Sequence, residues 1–383
     1  MAAVVPPIVP EVQALSRSRP GTLSLAQGMV WFTPPEALVR ETLAASFTAD
    51  AHYGPVFGDE ALIETYAARL VAHHGYAADG LAARLAATAG ANMGFQQAVL
   101  TISRPGDRVV LFEPFYFNHE MALKIAGLEP VVVPSDGDED RQLEMLASAI
   151  DARTRAVVTV SPNNPTGTVM APTLLERINR LCADAGIYHI SDEAYDELVF
   201  EGRHLAPAAL PGAAAHTIAL YSLSKSFGFA GWRLGFTVLP AALVDDFRKV
   251  QDTNLICPTR LTQRLATRLI RDWDEPRRVL IAALDAQRRR MVERLARACP
   301  RVQVAGGEGA LYLWVRLPEG HHGDAACREL IAREGVATLP GSAFARPGAA
   351  DRYLRLSFGG ITGADFDAAV ERLGHGLARI TGT

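Results

Sequence analysis

Ser222-Leu223-Ser224-Lys225-Ser226-Phe227-Gly228-Phe229-Ala230-Gly231-Trp232-Arg233-Leu234-Gly235 places one lysine in a run of small residues, with a serine three positions before it and an arginine eight after. The residues leading in, Ala215 to Tyr221, are apolar and predict a buried strand. Lys225 therefore falls where a strand ends and a glycine-rich loop begins. A lysine in a crowded, mostly apolar turn is partly desolvated, which lowers its pKa and frees its amine as a nucleophile. The flanking serine hydroxyl and arginine can hold a phosphate. Amine at one end and anion clamp at the other is what pyridoxal phosphate requires. The alternative is a surface loop with one solvated lysine, against which the apolar flanks argue.

The chain around this stretch has 383 residues, enough for a large domain and a smaller one. It is 49 % apolar and 21 % charged, an ordinary globular balance. The net charge of −4 and the absence of a long basic run argue against nucleic acid as the main partner. No window approaches ~18 uninterrupted apolar residues, so no membrane span is expected. Met1 to Pro10 carries three prolines and no basic start, and reads as an arm rather than a signal peptide. The cysteines at 182, 257, 299 and 327 show no paired spacing, which predicts neither a disulfide frame nor a zinc site and suits a reducing cytoplasm. No metal is expected: His73-His74 and His321-His322 read as solvated surface, since adjacent side chains do not converge.

Taken in order, residues 1 to about 20 read as an extended arm. Gln27-Gly28 then runs into Met29-Val30-Trp31-Phe32-Thr33-Pro34-Pro35, where the aromatics suit either core or a pocket wall. Tyr53 stands in a Gly/Pro turn, His52 to Gly58. Strands then alternate with helices. Ala86 to Thr88 leads through Ala89-Gly90-Ala91-Asn92 into a helix over 95–102, whose start leaves free N–H groups for an anion. Arg108 to Phe112 is followed by Glu113-Pro114-Phe115-Tyr116-Phe117 and a helix to about Ala126. Val131 to Pro134 precedes an acidic loop, Asp136 to Asp140, and a helix over 143–150. Arg155 to Val160 leads into the rigid turn Ser161-Pro162-Asn163-Asn164-Pro165-Thr166-Gly167. A helix over 172–185 and a strand over 186–191 end in Asp192-Glu193-Ala194-Tyr195, and Leu234 to Leu239 is one more strand. This alternation predicts an α/β domain with a largely parallel sheet, whose polar residues gather at the C-terminal strand ends where such sheets bind ligands. Beyond about 240 the pattern is mostly helical. Arg288-Arg289-Arg290 reads as an exposed face, and three strands, including Tyr353 to Phe358 with Arg355 among apolar neighbours, predict a small α+β domain. Arg355 is either an edge-strand charge in water or a buried cation that needs an anion.

The Ser222–Gly235 stretch resembles the lysine signature of class I pyridoxal phosphate aminotransferases in its small residues, its spacing to Arg233 and its closing Arg-Leu-Gly. The resemblance extends from Gln27-Gly28 to Arg355. It implies fold type I: a large domain with a mostly parallel seven-stranded sheet flanked by helices, plus a smaller α+β domain. The expected division is an arm and part of the small domain over 1–45, the large cofactor-binding domain over 46–275 and the small domain over 276–383. It implies a homodimer with shared active sites, in which Tyr53 reaches the neighbour's cofactor phosphate. Gly90-Ala91-Asn92 resembles the phosphate-cup helix start, and Tyr116 the aromatic that stacks on the pyridine ring. Asn164 and Tyr195 resemble the pair at the ring's phenolic oxygen, and Asp192 the partner of the ring nitrogen. Ser222 and Arg233 resemble phosphate ligands, Lys225 the Schiff-base lysine and Arg355 the clamp for the substrate's α-carboxylate.

The expected activity is transfer of an amino group between an L-amino acid and a 2-oxo acid. Gly28, Trp31, Asn164 and Arg355 are the expected substrate contacts. Trp31, Phe32, Phe57 and Tyr116 suggest an apolar or aromatic pocket, and the strings after Gln27 and Ala89 are similar to a branch that uses aromatic amino acids and methionine. The same site serves β-lyases and cyclases, which remain alternatives. A cofactor-binding transcriptional regulator would need a DNA-binding domain for which the chain has no room.

Overall fold

A computed structural model of the chain describes residues 4, 6–46, 51–135 and 137–383. Its strands are β1 (Leu23–Ser24), β2 (Leu85–Thr88), β3 (Arg108–Glu113), β4 (Glu129–Pro134), β5 (Thr154–Val160), β6 (Tyr188–Asp192), β7 (Thr217–Ser222), β8 (Gly235–Val238), β9 (Gln303–Ala305), β10 (Tyr312–Arg316), β11 (Val336–Ala337), β12 (Leu339–Pro340) and β13 (Tyr353–Ser357).

Seven of them form one sheet in the order β2-β8-β7-β6-β5-β3-β4. Six run the same way and β8 runs against both of its neighbours. Strands such as β5 and β7 are buried along nearly their whole length, because helices cover both faces and every side chain must be apolar or satisfied. The parallel strands all end on one edge, and the connections leaving that edge carry the polar residues. Register fixes their spacing: Val160 stands opposite Asp192, and Gly235 is the partner of both Ser222 and Thr88. A Cβ on Gly235 would lie 2.5 Å from the Tyr221 carbonyl and 2.8 Å from the Ala91 nitrogen. Glycine there lets two helix starts, at Ala91 and Leu223, close on one point.

β12-β13-β10-β9 form an antiparallel sheet, and β1 pairs with β11, so residues near the N-terminus join the C-terminal region. The largest core runs without a break from Tyr221 and Phe236 of the big sheet to Tyr312, Leu354 and Phe358 of the smaller one.

Four readings need correction. Residues up to 20 are not an extended arm, because Ile8–Arg17 is a helix. Pro10 falls in its first turn, where no intrahelical N–H is required, and Val12 is buried in a core with Trp314, Leu339 and Phe344. The acidic loop is the start of a helix, Glu139–Ala149: the Asp138 carboxylate accepts the N–H groups of Asp140 and Arg141, and further acids suit the positive helix end. Asp136 lies outside the described residues. Arg288 does not share the exposed face of Arg289 and Arg290. It is buried, pairs with Glu201 at 2.7 Å and Asp285 at 2.8 Å, and covers Phe200. His74 is mostly buried, with Nε2 2.9 Å from the Asp196 carboxylate and its ring against Tyr221.

Candidate active site

The Ser222 hydroxyl accepts the Ser224 N–H at 3.2 Å and so starts the single helical turn Leu223–Ser226. That turn directs Lys225 inward, where Nζ donates to the Gly28 carbonyl at 2.5 Å. Gly28 is fixed by a close approach, since a Cβ there would lie 1.9 Å from the Tyr312 hydroxyl. Burial, then the guanidiniums of Arg355 and Arg233, bring the Lys225 amine down to a pKa of about 8, against the opposing pull of Asp192. Arg233 closes the loop in the left-handed region, with φ 55, and its guanidinium bonds the Ala230 carbonyl at 2.9 Å and the Ala89 carbonyl at 3.4 Å. Gly90 has φ 81, and any Cβ on it would meet Arg233 at 2.5 Å. Arginine and the start of the helix Ala91–Ile102 thus share one small space.

Asp192 ends β6. One carboxylate oxygen accepts the Ala194 N–H at 3.0 Å, and the other lies 3.0 Å from Nε2 of His119. His119 is buried and its ring stacks on Phe95 at 4.1 Å, so Asp192 is held from behind. Tyr116 precedes the helix that carries His119, and its hydroxyl accepts from Asn118 at 2.7 Å. Burial foremost pushes the Tyr116 phenol up to about 12.

Arg355 lies in the middle of β13, paired in register with Trp314 on one side and Leu339 on the other, and is 3 % exposed. It therefore does not face water. Nη1 donates to Oδ1 of Asn164 at 2.7 Å and Nη2 to the Ala26 carbonyl at 2.6 Å, while Nε is buried without a partner. The guanidinium covers the Tyr312 ring at 4.3 Å and the Phe344 ring at 4.9 Å. Asn164 turns its amide nitrogen to the Tyr195 hydroxyl at 3.5 Å, and Tyr195 meets Tyr312 hydroxyl to hydroxyl at 2.7 Å. Burial, then Tyr312, holds the Tyr195 phenol well above its ordinary range.

Ala91 and Asn92 line one cavity of about 410 Å³ with Gly28, Ser222, Ser224, Lys225, Arg233, Asp192, Tyr116, Asn118, Arg355, Asn164, Tyr195 and Tyr312, while Gly90 stands behind Arg233 and His119 behind Asp192. Trp31 does not line it. Its ring packs edge-on against Phe32 and the large core. Phe32 is core, and Phe57 packs on Phe247 and under Arg248. Tyr53 is 79 % exposed and outside the cavity of its own chain. The sequence reading missed His119, Tyr312, Ser224 and Asn118. His119 had a signal, since it lies three residues beyond Tyr116 on one helix face. Tyr312 had one in the alternation of its strand, which turns it to the same face as Trp314.

The chain matches the family described as aminotransferase class I and II over residues 21–373. It is 33 % identical to the aromatic aminotransferase ISS1 of Arabidopsis thaliana, over 98 % of this chain and 94 % of that protein. It is 34 % identical to the arginine–pyruvate transaminase AruH of Pseudomonas aeruginosa, over 91 % of this chain and 89 % of that one. Among solved structures, an aromatic aminotransferase from Pyrococcus horikoshii superimposes with a TM-score of 0.86 at 27 % identity, covering 96 % of this chain and 99 % of the other. A cavity built on a buried lysine, an aspartate and an arginine, in a chain matched along almost its whole length, has one family home: the protein belongs to the class I and II aminotransferases and is a pyridoxal-phosphate-dependent enzyme.

Proposed function

We propose that this enzyme moves the amino group of an L-amino acid with an aromatic or methionine-like side chain to a 2-oxo acid. The observation that carries the substrate reading is the charge inventory of the cavity. Among the described residues lining it, the cations are Lys225, Arg233 and Arg355, and the carboxylate is Asp192. Each has a task under the reading below. That leaves no partner from this chain for an acidic or basic side chain, while Val9, Met29 and Phe117 offer an apolar wall.

The donor set fits pyridoxal phosphate. The loop and helix start around Gly90 approach Arg233 so closely that no Cβ is accommodated, as an anion cradle needs, and the Arg355 Nε is buried and unpaired. Ser222, Ser224, Ala91, Asn92 and Arg233 would hold the phosphate, Tyr116 would cover the ring, and Asn164 and Tyr195 would meet its phenolic oxygen. When bound, the cofactor supplies an aldehyde for the amino group and a ring that accepts electrons. Asp192, held by His119, keeps a proton on the ring nitrogen. Lys225, with its lowered basicity, would move a proton from the substrate's Cα to the carbon that carried the cofactor's aldehyde. Arg355 binds the α-carboxylate through two nitrogens and orients the Cα–H bond.

We further propose a cytoplasmic homodimer, with the domain division at 46 and 276 given above. The exposed Tyr53 and the four unpaired cysteines support it. The substrate reading is tested by measuring kcat/KM for phenylalanine, tyrosine, tryptophan, methionine, arginine and aspartate with several 2-oxo acids. Aromatic amino acids and methionine should lead. A lead by arginine or aspartate would overturn it.

A further inference from the structure

We infer that Tyr312 is a positioning residue that sets the direction of the Tyr195 proton, so that Tyr195 donates into the active site rather than away from it. The inference rests on the assignment of Tyr195 to the cofactor's phenolic oxygen made above.

The argument is a count of donors and acceptors. Arg355 Nη1 donates to Oδ1 of Asn164 at 2.7 Å, which fixes the Asn164 amide with its nitrogen toward Tyr195. The Tyr195 oxygen thus faces one N–H donor at 3.5 Å and the Tyr312 hydroxyl at 2.7 Å. Two orientations are open to the phenol pair. If Tyr195 donates to Tyr312, its proton is spent, and the Tyr312 proton has no further acceptor among the described residues. If Tyr312 donates to Tyr195, the Tyr312 hydroxyl is satisfied, and the Tyr195 proton is left for whatever acceptor enters the cavity. Both phenols line the cavity, and either orientation leaves one proton without an acceptor in the chain. With the phenolic oxygen placed against Tyr195, as above, only the second orientation gives both protons an acceptor, and it prevails there.

The place of Tyr312 is itself over-determined. It is 1 % exposed, its ring lies under the Arg355 guanidinium at 4.3 Å, and its hydroxyl occupies the space that a Gly28 side chain would need. The hydroxyl cannot swing aside, and burial keeps the proton on the Tyr195 phenol.

The consequence can be read without turnover. A hydrogen bond from Tyr195 stabilises negative charge on the phenolic oxygen and weakens that oxygen's hold on the proton at the lysine-linked nitrogen. The pH midpoint of the loaded enzyme's visible absorbance change is therefore lowered by Tyr195. Tyr195→Phe should raise that midpoint by about one pH unit, the scale of one hydrogen bond to a charged group. Tyr312→Phe keeps the ring under Arg355 and removes only the hydroxyl. It should raise the midpoint in the same direction by a smaller amount, and the double variant should match Tyr195→Phe alone. Placing 3-fluorotyrosine at position 312 makes a stronger donor of unchanged shape and should move the midpoint downward. That second variant carries the test if Tyr312→Phe folds poorly. Shifts that add in the double variant, or an unmoved midpoint in both position-312 variants beside a shifted Tyr195→Phe, would overturn the inference alone. An unmoved midpoint in Tyr195→Phe would overturn the assignment of Tyr195 and the inference with it.

Discussion

Lys225 is at once the most constrained residue of the site and the easiest to test. Only a neutral amine attacks an aldehyde, and the neutral fraction grows as pH climbs through the pKa. With an amine pKa of about 8, attachment of pyridoxal phosphate to the stripped protein should quicken with pH and level off above that value. An ordinary lysine would level off only near about 10.4. Arg355 is one of the charges that lowers the amine, so Arg355→Leu should move the midpoint upward. A midpoint near 10 in the parent protein would show that water reaches the amine freely. Lys225→Ala should abolish turnover and the absorbance band of lysine-linked cofactor, while cofactor still binds through its phosphate contacts. Arg355→Leu should also weaken binding of every amino acid and every oxo acid by roughly 2–5 kcal/mol, the cost of removing one partner of a buried charge pair. A KM that rises for one substrate only would move Arg355 to the side-chain pocket. Lys225 and Arg233 were legible in the sequence because one short loop carries both. Tyr195 and Tyr312 lie 117 positions apart, and only folding shows that they touch.

At the scale of elements, the lysine turn is held from outside by two helices. Arg69, from the helix Glu60–His74, and Arg277, from the helix Asp274–Ala298, both pair with Glu197 and Asp274. Their guanidiniums lie 5.3 and 4.0 Å from the Phe227 ring, two residues past Lys225, and Arg277 also bonds the Ser226 carbonyl at 3.3 Å. Glu197→Ala leaves two buried cations short of one counter-ion and should cost about 3–5 kcal/mol of stability. Chemical denaturation measures it, and a loss below about 1 kcal/mol would mean that the cluster is solvated like a surface pair. Helices and strands of the large sheet were legible because their periodicity is strong and their turns are rich in glycine and proline. The helix Ile8–Arg17 was not. Its prolines read as breakers, and the core that holds Val12 comes from residues more than 300 positions away in Trp314, Leu339 and Phe344. His74 meets Asp196 122 positions away, and Arg288 meets Glu201 and Phe200 of a distant segment beside Asp285 on its own helix, so an exposed reading was the natural one.

At the scale of the whole molecule, the homodimer proposed above assigns the exposed Tyr53, which lies outside its own cavity, to the second subunit's site. Mixing Tyr53→Ala protein with Lys225→Ala protein, after dissociation and reassembly, forms hybrids in which one site has Lys225 from one chain and Tyr53 from the other. Random pairing makes about a quarter of all sites of that kind. Activity of the mixture should exceed the sum of the separate variants. No gain would place Tyr53 in the service of its own chain, and a sedimentation coefficient of a monomer would remove the shared site altogether.

The reversed strand β8 has a consequence for how the chain can be cut. Because Ser222 and Gly235 are register partners, the ends of the lysine loop meet across one sheet ladder. The sheet therefore does not depend on the loop's being continuous. New termini opened between Phe229 and Ala230, with the natural ends joined by a flexible linker, should leave β7 and β8 paired and the fold intact. Lys225 and Arg233 would then belong to opposite ends of the polypeptide. Such a permuted chain should melt cooperatively near the parent temperature yet hold pyridoxal phosphate far more weakly. Its geometry at the anion would no longer be enforced by the chain that joins them.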